Sequence, residues 1–341
     1  MKRLVSIITI MTMVFALLAG CATNADIAAE PEKEEQANEE VGNAESNKKI
    51  KIGIIQPVEH PSLNQIRECI IKGLEEQGLK DKVEITYKDA QGDSSNINTI
   101  ISQFVGDKMD IIVPIGTGVA QSAAAATDDI PIIFAAVSYP VDAGLIKDMD
   151  KPEGNITGVS DAIDARQIID LAFELTPNIK TLGFIYNSGE VNSASAIEKA
   201  KEYLNEKKVE YVETTITNSG ELLQAAQSLV GKADAIFTPT DNTVASAMPV
   251  LASEAAKAGV PVYPGADSMV ADGGLATVGV DYTVLGRQVA EMIRKVIDGE
   301  DISNIPVETL KEYEKIINTT TAKQVGVEVS EEALKGFRVA E

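Results

Sequence analysis

Residues 111–122 read Ile-Ile-Val-Pro-Ile-Gly-Thr-Gly-Val-Ala-Gln-Ser. The first five form a near-continuous apolar run of strand length, the pattern of a strand buried on both faces. Gly116-Thr117-Gly118 then opens an Ala-rich helical stretch, residues 118–127. A strand that passes through a glycine turn into a helix is one step of a parallel α/β sheet, and the step recurs on both sides. Upstream, residues 50–56 (IKIGIIQ) predict a buried strand and residues 62–77 a helix stopped by Gly78. Residues 83–87 predict a strand, 96–104 a helix and 132–136 another strand.

The pattern then starts again. Strands are predicted at 181–186, 211–215, 235–238 and 262–263, with helices at 193–207, 221–230 and 243–259. This is a repeat of architecture, not of residues. Residues 154–159 (GNITGV) link the two units. Residues 276–282 (ATVGVDY) return, and the helix at 284–297 packs on the first unit. Residues 313–321 cross once more. The expected fold is α/β, two doubly wound parallel-sheet lobes joined by a three-strand hinge. Lobe 1 comprises residues 49–157 plus 282–315, and lobe 2 residues 158–281 plus 316–341.

The N-terminus has its own pattern. Lys2 and Arg3 precede residues 4–18, which are apolar but for Ser6, Thr9 and Thr12, and Leu18-Ala19-Gly20-Cys21 follows. The apolar run is shorter than the roughly 20 residues of a membrane-spanning helix. A charged start, an apolar stretch and a small-residue end predict a secretory signal over residues 1–20. Leu-Ala-Gly-Cys resembles the lipobox of bacterial lipoproteins. That resemblance implies cleavage before Cys21, a lipid thioether on its sulfur and acylation of the new amino group, enough to hold the chain at the outer face of the cell membrane. Residues 21–48 are expected to be the lipidated Cys and a disordered acidic tether, because low hydrophobicity and high charge do not offset ordering entropy.

Several function classes are disfavoured. A net charge of −22 opposes binding to nucleic acid or anionic lipid. With Cys21 lipidated only Cys69 remains, so no internal disulfide forms, and Cys69 is expected as a small buried hydrophobe. His60 is the sole histidine, which leaves no metal cluster and no nucleophile–base set. It is expected to shape its loop or touch the rim. No catalytic residue, metal or cofactor is expected. Gln121 stands where a dinucleotide fingerprint needs its third glycine, which argues against NAD.

In an open parallel sheet, ligands bind beyond the carboxyl ends of the strands. Gly116-Thr117-Gly118 leaves backbone N–H groups at the positive end of a helix, which suits a carboxylate. A plain tight turn is the alternative. Asp241 and Asp267 sit at successive strand ends with no nearby Lys or Arg, which suits an ammonium group; Asp241 could instead cap a helix. Glu59 and Glu190 are further acidic candidates or solvated loop charges. Tyr139, Tyr186 and Tyr282 lie near the predicted cleft, where an aromatic face could stack on a flat side chain or simply pack at the sheet rim.

These residues together resemble a known family. Leu18 to Cys21, Ile54-Ile55-Gln56-Pro57-Val58-Glu59-His60-Pro61-Ser62-Leu63, Gly116-Thr117-Gly118 with Ala120-Gln121-Ser122, Tyr186-Asn187-Ser188-Gly189-Glu190-Val191-Asn192-Ser193 and Thr240-Asp241-Asn242 are similar to the ABC transporter substrate-binding lipoproteins of the tryptophan/tyrosine type. The resemblance implies a type I periplasmic-binding fold that closes on an amino acid, expected to be tryptophan, tyrosine or phenylalanine. It implies delivery to an ABC permease with its ATPase, by a chain expected to be a monomer. By motif position, Thr117 and Gln121 would bind the ligand carboxylate and Asp241 and Asp267 its ammonium. Gln56, Glu59, Ser138, Asn187 and Asn192 would line the cleft. Tyr139 stands where the family pattern has Asp or Asn, which bears on side-chain preference. A surface sensor of the same fold, reporting to a receptor or kinase, is the alternative function.

Overall fold

The structure, a computed structural model, describes residues 48–340. The predicted signal peptide, Cys21 and nearly all of the predicted tether lie outside the described residues. The described chain opens with β1 (Ile50–Gln56), α1 (Pro61–Glu76), β2 (Val83–Asp89), α2 (Ser94–Gly106), β3 (Ile111–Pro114), α3 (Thr117–Ala126), β4 (Ile132–Ala135) and β5 (Ile156–Ser160). The strands are parallel in the order β2-β1-β3-β4-β5, with Ile54 opposite both Tyr87 and Val113. Alternation divides their side chains between two faces. Ile52, Ile54, Val113 and Ile133 enter one apolar cluster, and Ile55, Ile112, Ile132 and Phe134 enter another. Both faces are therefore covered, as continuous apolar strands require.

The second unit runs α4 (Ala165–Leu175), β6 (Thr181–Asn187), α5 (Val191–Lys207), β7 (Glu210–Ile216), α6 (Leu222–Leu229), β8 (Ala235–Thr238), α7 (Asn242–Ala245), α8 (Met248–Lys257), β9 (Val262–Pro264), α9 (Asp267–Ala271) and β10 (Ala276–Gly279). Its parallel order, β7-β6-β8-β9, repeats the winding of the first sheet. The chain then returns. α10 (Tyr282–Ile297) packs along α1, and β11 (Glu308–Thr309) joins β5. Finally β12 (Glu314–Ile317) pairs antiparallel with β10, followed by α11 (Thr319–Val325), α12 (Glu331–Leu334) and β13 (Arg338–Val339). Among the described residues, no helix is long and apolar enough to cross a membrane.

Three departures from the sequence-based expectation are local. Residues 158–160, expected in the second lobe, complete the first sheet, with Gly158 opposite Phe134 and Val159 opposite Ala135. The approach is close: a β-carbon on Gly158 would lie 2.1 Å from the Phe134 carbonyl oxygen, so a glycine that looks like a linker is a packing requirement. The first crossing therefore follows Ser160. The single helix expected over 243–259 is two, because Pro249 lacks an amide hydrogen and starts α8 afresh. Cys69 is half-buried, set against Gly286 of α10.

Candidate ligand site between the two sheets

Residues that follow the carboxyl ends of β1, β3, β4 and β5, and of β6, β8, β9 and β10, line one cavity. Four expected site residues, Thr117, Ser138, Asn192 and Asp241, are in its wall, as is Tyr282. Leu63, Ala136, Ala245, Ala266 and Met269 supply the apolar lining, and no Lys or Arg among the described residues does. None of its lining residues forms part of a group that could hold a metal ion.

Asp241 is buried and takes three protein donors. One carboxylate oxygen accepts the Val244 N–H at 2.8 Å, capping α7. The other accepts the Asn187 N–H and the Ser193 hydroxyl, each at 2.7 Å. Burial and the neighbouring Glu190 carboxylate push its pKa up, while the three donors pull it down. Glu190 in turn accepts four bonds from the backbone and side chains of Asn242 and Thr243, at 2.7 to 3.0 Å. These two carboxylates tie α7 to β6 and α5. Helix capping, the structural alternative for Asp241, is what the geometry has.

Asp161 is different. It follows β5 at the first crossing, is 5% exposed, and receives one side-chain hydrogen bond, from the Ser138 hydroxyl at 2.8 Å. Burial pushes its pKa up. It lines the cavity with lone pairs to spare. Thr117 starts α3 after Gly116, whose φ of +96° favours glycine. The Thr117 hydroxyl is buried without a partner, and the first amides of α3 have no helical acceptor.

Three polar contacts cross the cleft. His60 Nε2 meets Asn242 Oδ1 at 3.2 Å, the Ser62 and Ser268 hydroxyls meet at 2.6 Å, and the Ser138 and Thr240 hydroxyls at 3.3 Å. His60, expected at a rim, is thus buried in the wall just ahead of Pro61, which starts α1. Desolvation lowers its pKa, opposed in part by the Asn242 bond and by Glu190.

Six expected site residues lie elsewhere. Gln56 donates to the Val58 carbonyl and to Asn64, bracing the loop from beneath. Glu59 is exposed and turns to Tyr87 and Arg67. Gln121 donates to the Ala143 carbonyl at 2.9 Å. Tyr139 donates to the Ile163 carbonyl, outside the cavity, with Lys199 Nζ 4.5 Å above its ring. Asn187 bonds Asp241 through its backbone and Thr243 through its side chain. Asp267 holds the Ser268 amide and Arg338, which neutralises it. The cavity-lining His60, Asp161, Thr240 and Asn242 were not among the expected ligand contacts. For Asp161 the signal was present: Ile156-Thr157-Gly158-Val159 read as a fifth strand makes Asp161 a strand-end residue.

Comparison with known proteins gives the family. Residues 51–338 match the family described as ABC transporter substrate binding protein. The chain is 39% identical over 329 residues to a tyrosine-binding protein of Clostridioides difficile, covering 96% of this chain and 93% of that one. A Streptococcus pneumoniae ABC domain solved in complex with L-Trp is 38% identical and superposes with a TM-score of 0.82, covering 86% of this chain and 99% of that one. A ligand-free, open substrate-binding protein from Clostridium difficile is 39% identical, over 85% of this chain and 99% of that one, and superposes at 0.65. The family match and the overall identity extend over almost all of the described chain, which therefore belongs to the ABC transporter substrate-binding protein family.

Proposed function

We propose that the cavity holds one aromatic L-amino acid and that the chain delivers it to an ABC permease from the outer face of the cell membrane. The observation that carries this reading is Asp161, a buried carboxylate with one side-chain donor, in a cavity lined by neither Lys nor Arg. A ligand ammonium would supply the missing positive charge. The ligand carboxylate would take the free amides of α3 and the Thr117 hydroxyl, at the positive helix end. Ammonium recognition thus moves to Asp161 from Asp241, whose carboxylate already takes three protein donors, and from Asp267, which Arg338 occupies. Leu63, Met269 and Tyr282 would meet an apolar side chain. The tyrosine-binding and L-Trp-bound relatives support an aromatic one. Lipid on Cys21 would anchor the chain beside the permease and raise its effective concentration there.

Ligand that binds only the folded state stabilises it by mass action. In a thermal-shift panel of the twenty amino acids on residues 49–341, tyrosine, tryptophan or phenylalanine raises the melting temperature and charged amino acids do not. No response to any amino acid would sink the proposal.

A further inference from the structure

Asn242 links His60 to Glu190. Its Nδ2 lies 2.7 Å from Glu190 Oε2 and its Oδ1 lies 3.2 Å from His60 Nε2. Glu190 receives donors from Asn242 and Thr243 at both oxygens, so it is an acceptor, and the Asn242 nitrogen must face it. The Asn242 oxygen then faces the imidazole. His60 Nε2 therefore carries the ring hydrogen and donates it, a tautomer assigned from the hydrogen-bond network. Burial keeps the ring neutral at pH 7, which leaves Nδ1 a bare lone pair. That atom is buried without a partner, in a residue 7% exposed that lines the cavity.

A buried acceptor left unpaired destabilises a site, and a ligand that satisfies it gains accordingly. The ligand carboxylate offers no donor and would be repelled by the lone pair. The ammonium is drawn instead to the Asp161 carboxyl group. What remains is a donor on the ligand side chain. We infer that His60 Nδ1 accepts a hydrogen bond from the ligand's ring, a phenol O–H or an indole N–H, and makes the cleft select tyrosine or tryptophan over phenylalanine. This rests on the amino-acid reading above and names which aromatic ligands that site prefers. A site built to pair with a substrate O–H or N–H rejects the analogue that lacks it, because its own polar group is then left unpaired.

The test is calorimetry on the wild-type chain and two variants with L-tyrosine, L-tryptophan, L-phenylalanine and 4-fluoro-L-phenylalanine. The fluoro compound has nearly the shape of tyrosine and no ring donor. Wild type binds tyrosine or tryptophan at least about tenfold more tightly than the other two. His60→Gln keeps an N–H for Asn242 but has no acceptor at the Nδ1 position, so the preference falls to within about twofold. His60→Asn keeps an acceptor near the Nδ1 position and loses the bridge to Asn242, so it weakens every ligand yet retains the preference. Equal wild-type affinity for tyrosine, tryptophan and 4-fluoro-phenylalanine overturns the inference, even if neither variant folds. So does a His60→Gln protein that weakens all four in parallel, since Nδ1 would then meet the part that all the ligands share. Binding of no amino acid at all overturns the amino-acid reading itself, and is a separate result.

Discussion

Asp161 carries the charge balance of the cavity. A carboxylate buried against one hydroxyl is poorly compensated, and its pKa is raised by burial. Between the ordinary aspartate pKa, about 4, and the raised folded value, the folded state binds more protons than the unfolded chain. Stability is therefore fully present at low pH and is lost as pH rises through the folded pKa. A ligand ammonium reverses that loss. Asp161→Asn should raise the ligand-free melting temperature at pH 7 by roughly 2–4 °C, about 1 kcal/mol, and the gain should fade toward pH 4. The same variant should lose the ligand-induced shift. Scanning fluorimetry from pH 4 to 8, with and without tyrosine, measures both; a variant less stable than wild type at pH 7 would mean that Asp161 is structural.

At the scale of elements, α7 shows how far a sequence reaches. The strand ends at Gln56, Thr238 and Pro264 are readable from apolar runs, and with them the loops that face the cleft. Which way a loop side chain turns is not. Thr117, Ser138, Asn192 and Asp241 turn inward, while Glu59, Gln121 and Asp267 find Tyr87, the Ala143 carbonyl and Arg338 instead. Those partners come from distant segments, so spacing along the chain does not encode them. Asp241 shows the same limit: it lines the cavity, yet its oxygens join α7 to β6 and α5. In Asp241→Asn, the amide oxygen can still cap Val244 and Ser193 can rotate its hydroxyl, but the Asn187 N–H is left facing an NH2. The expected loss is about 1–3 kcal/mol of ligand-free stability. Urea unfolding of the ligand-free protein measures it. An unchanged midpoint with weakened ligand binding would return Asp241 to the role of a ligand contact.

The whole molecule has its lobes drawn together. Superposition is closer on the L-Trp complex, at a TM-score of 0.82, than on the open, ligand-free relative, at 0.65, although the identities are 38% and 39%. Besides the three contacts inside the cleft, one lies at its edge. Lys199 on α5 reaches Asp142 of the first unit at 2.7 Å, with its ammonium 4.5 Å above the Tyr139 ring. Tyr139, expected to face the ligand, thus belongs to an outer latch. An exposed ion pair contributes roughly 0.2–1 kcal/mol and an exposed cation–π contact about 0.5–1 kcal/mol. Neither contact survives separation of the lobes, so both act on the closed state, to which ligand binding is coupled. Lys199→Met should therefore weaken ligand affinity about three- to tenfold, mainly through faster release in stopped-flow dissociation, and high salt should narrow the gap from wild type. Lys201→Met is the control, because Lys201 pairs with Glu198 and Glu213 inside the second unit. If both variants release ligand at the wild-type rate, the edge contact does not hold the lobes shut, and closure rests on the hydroxyl and His60 contacts within the cleft.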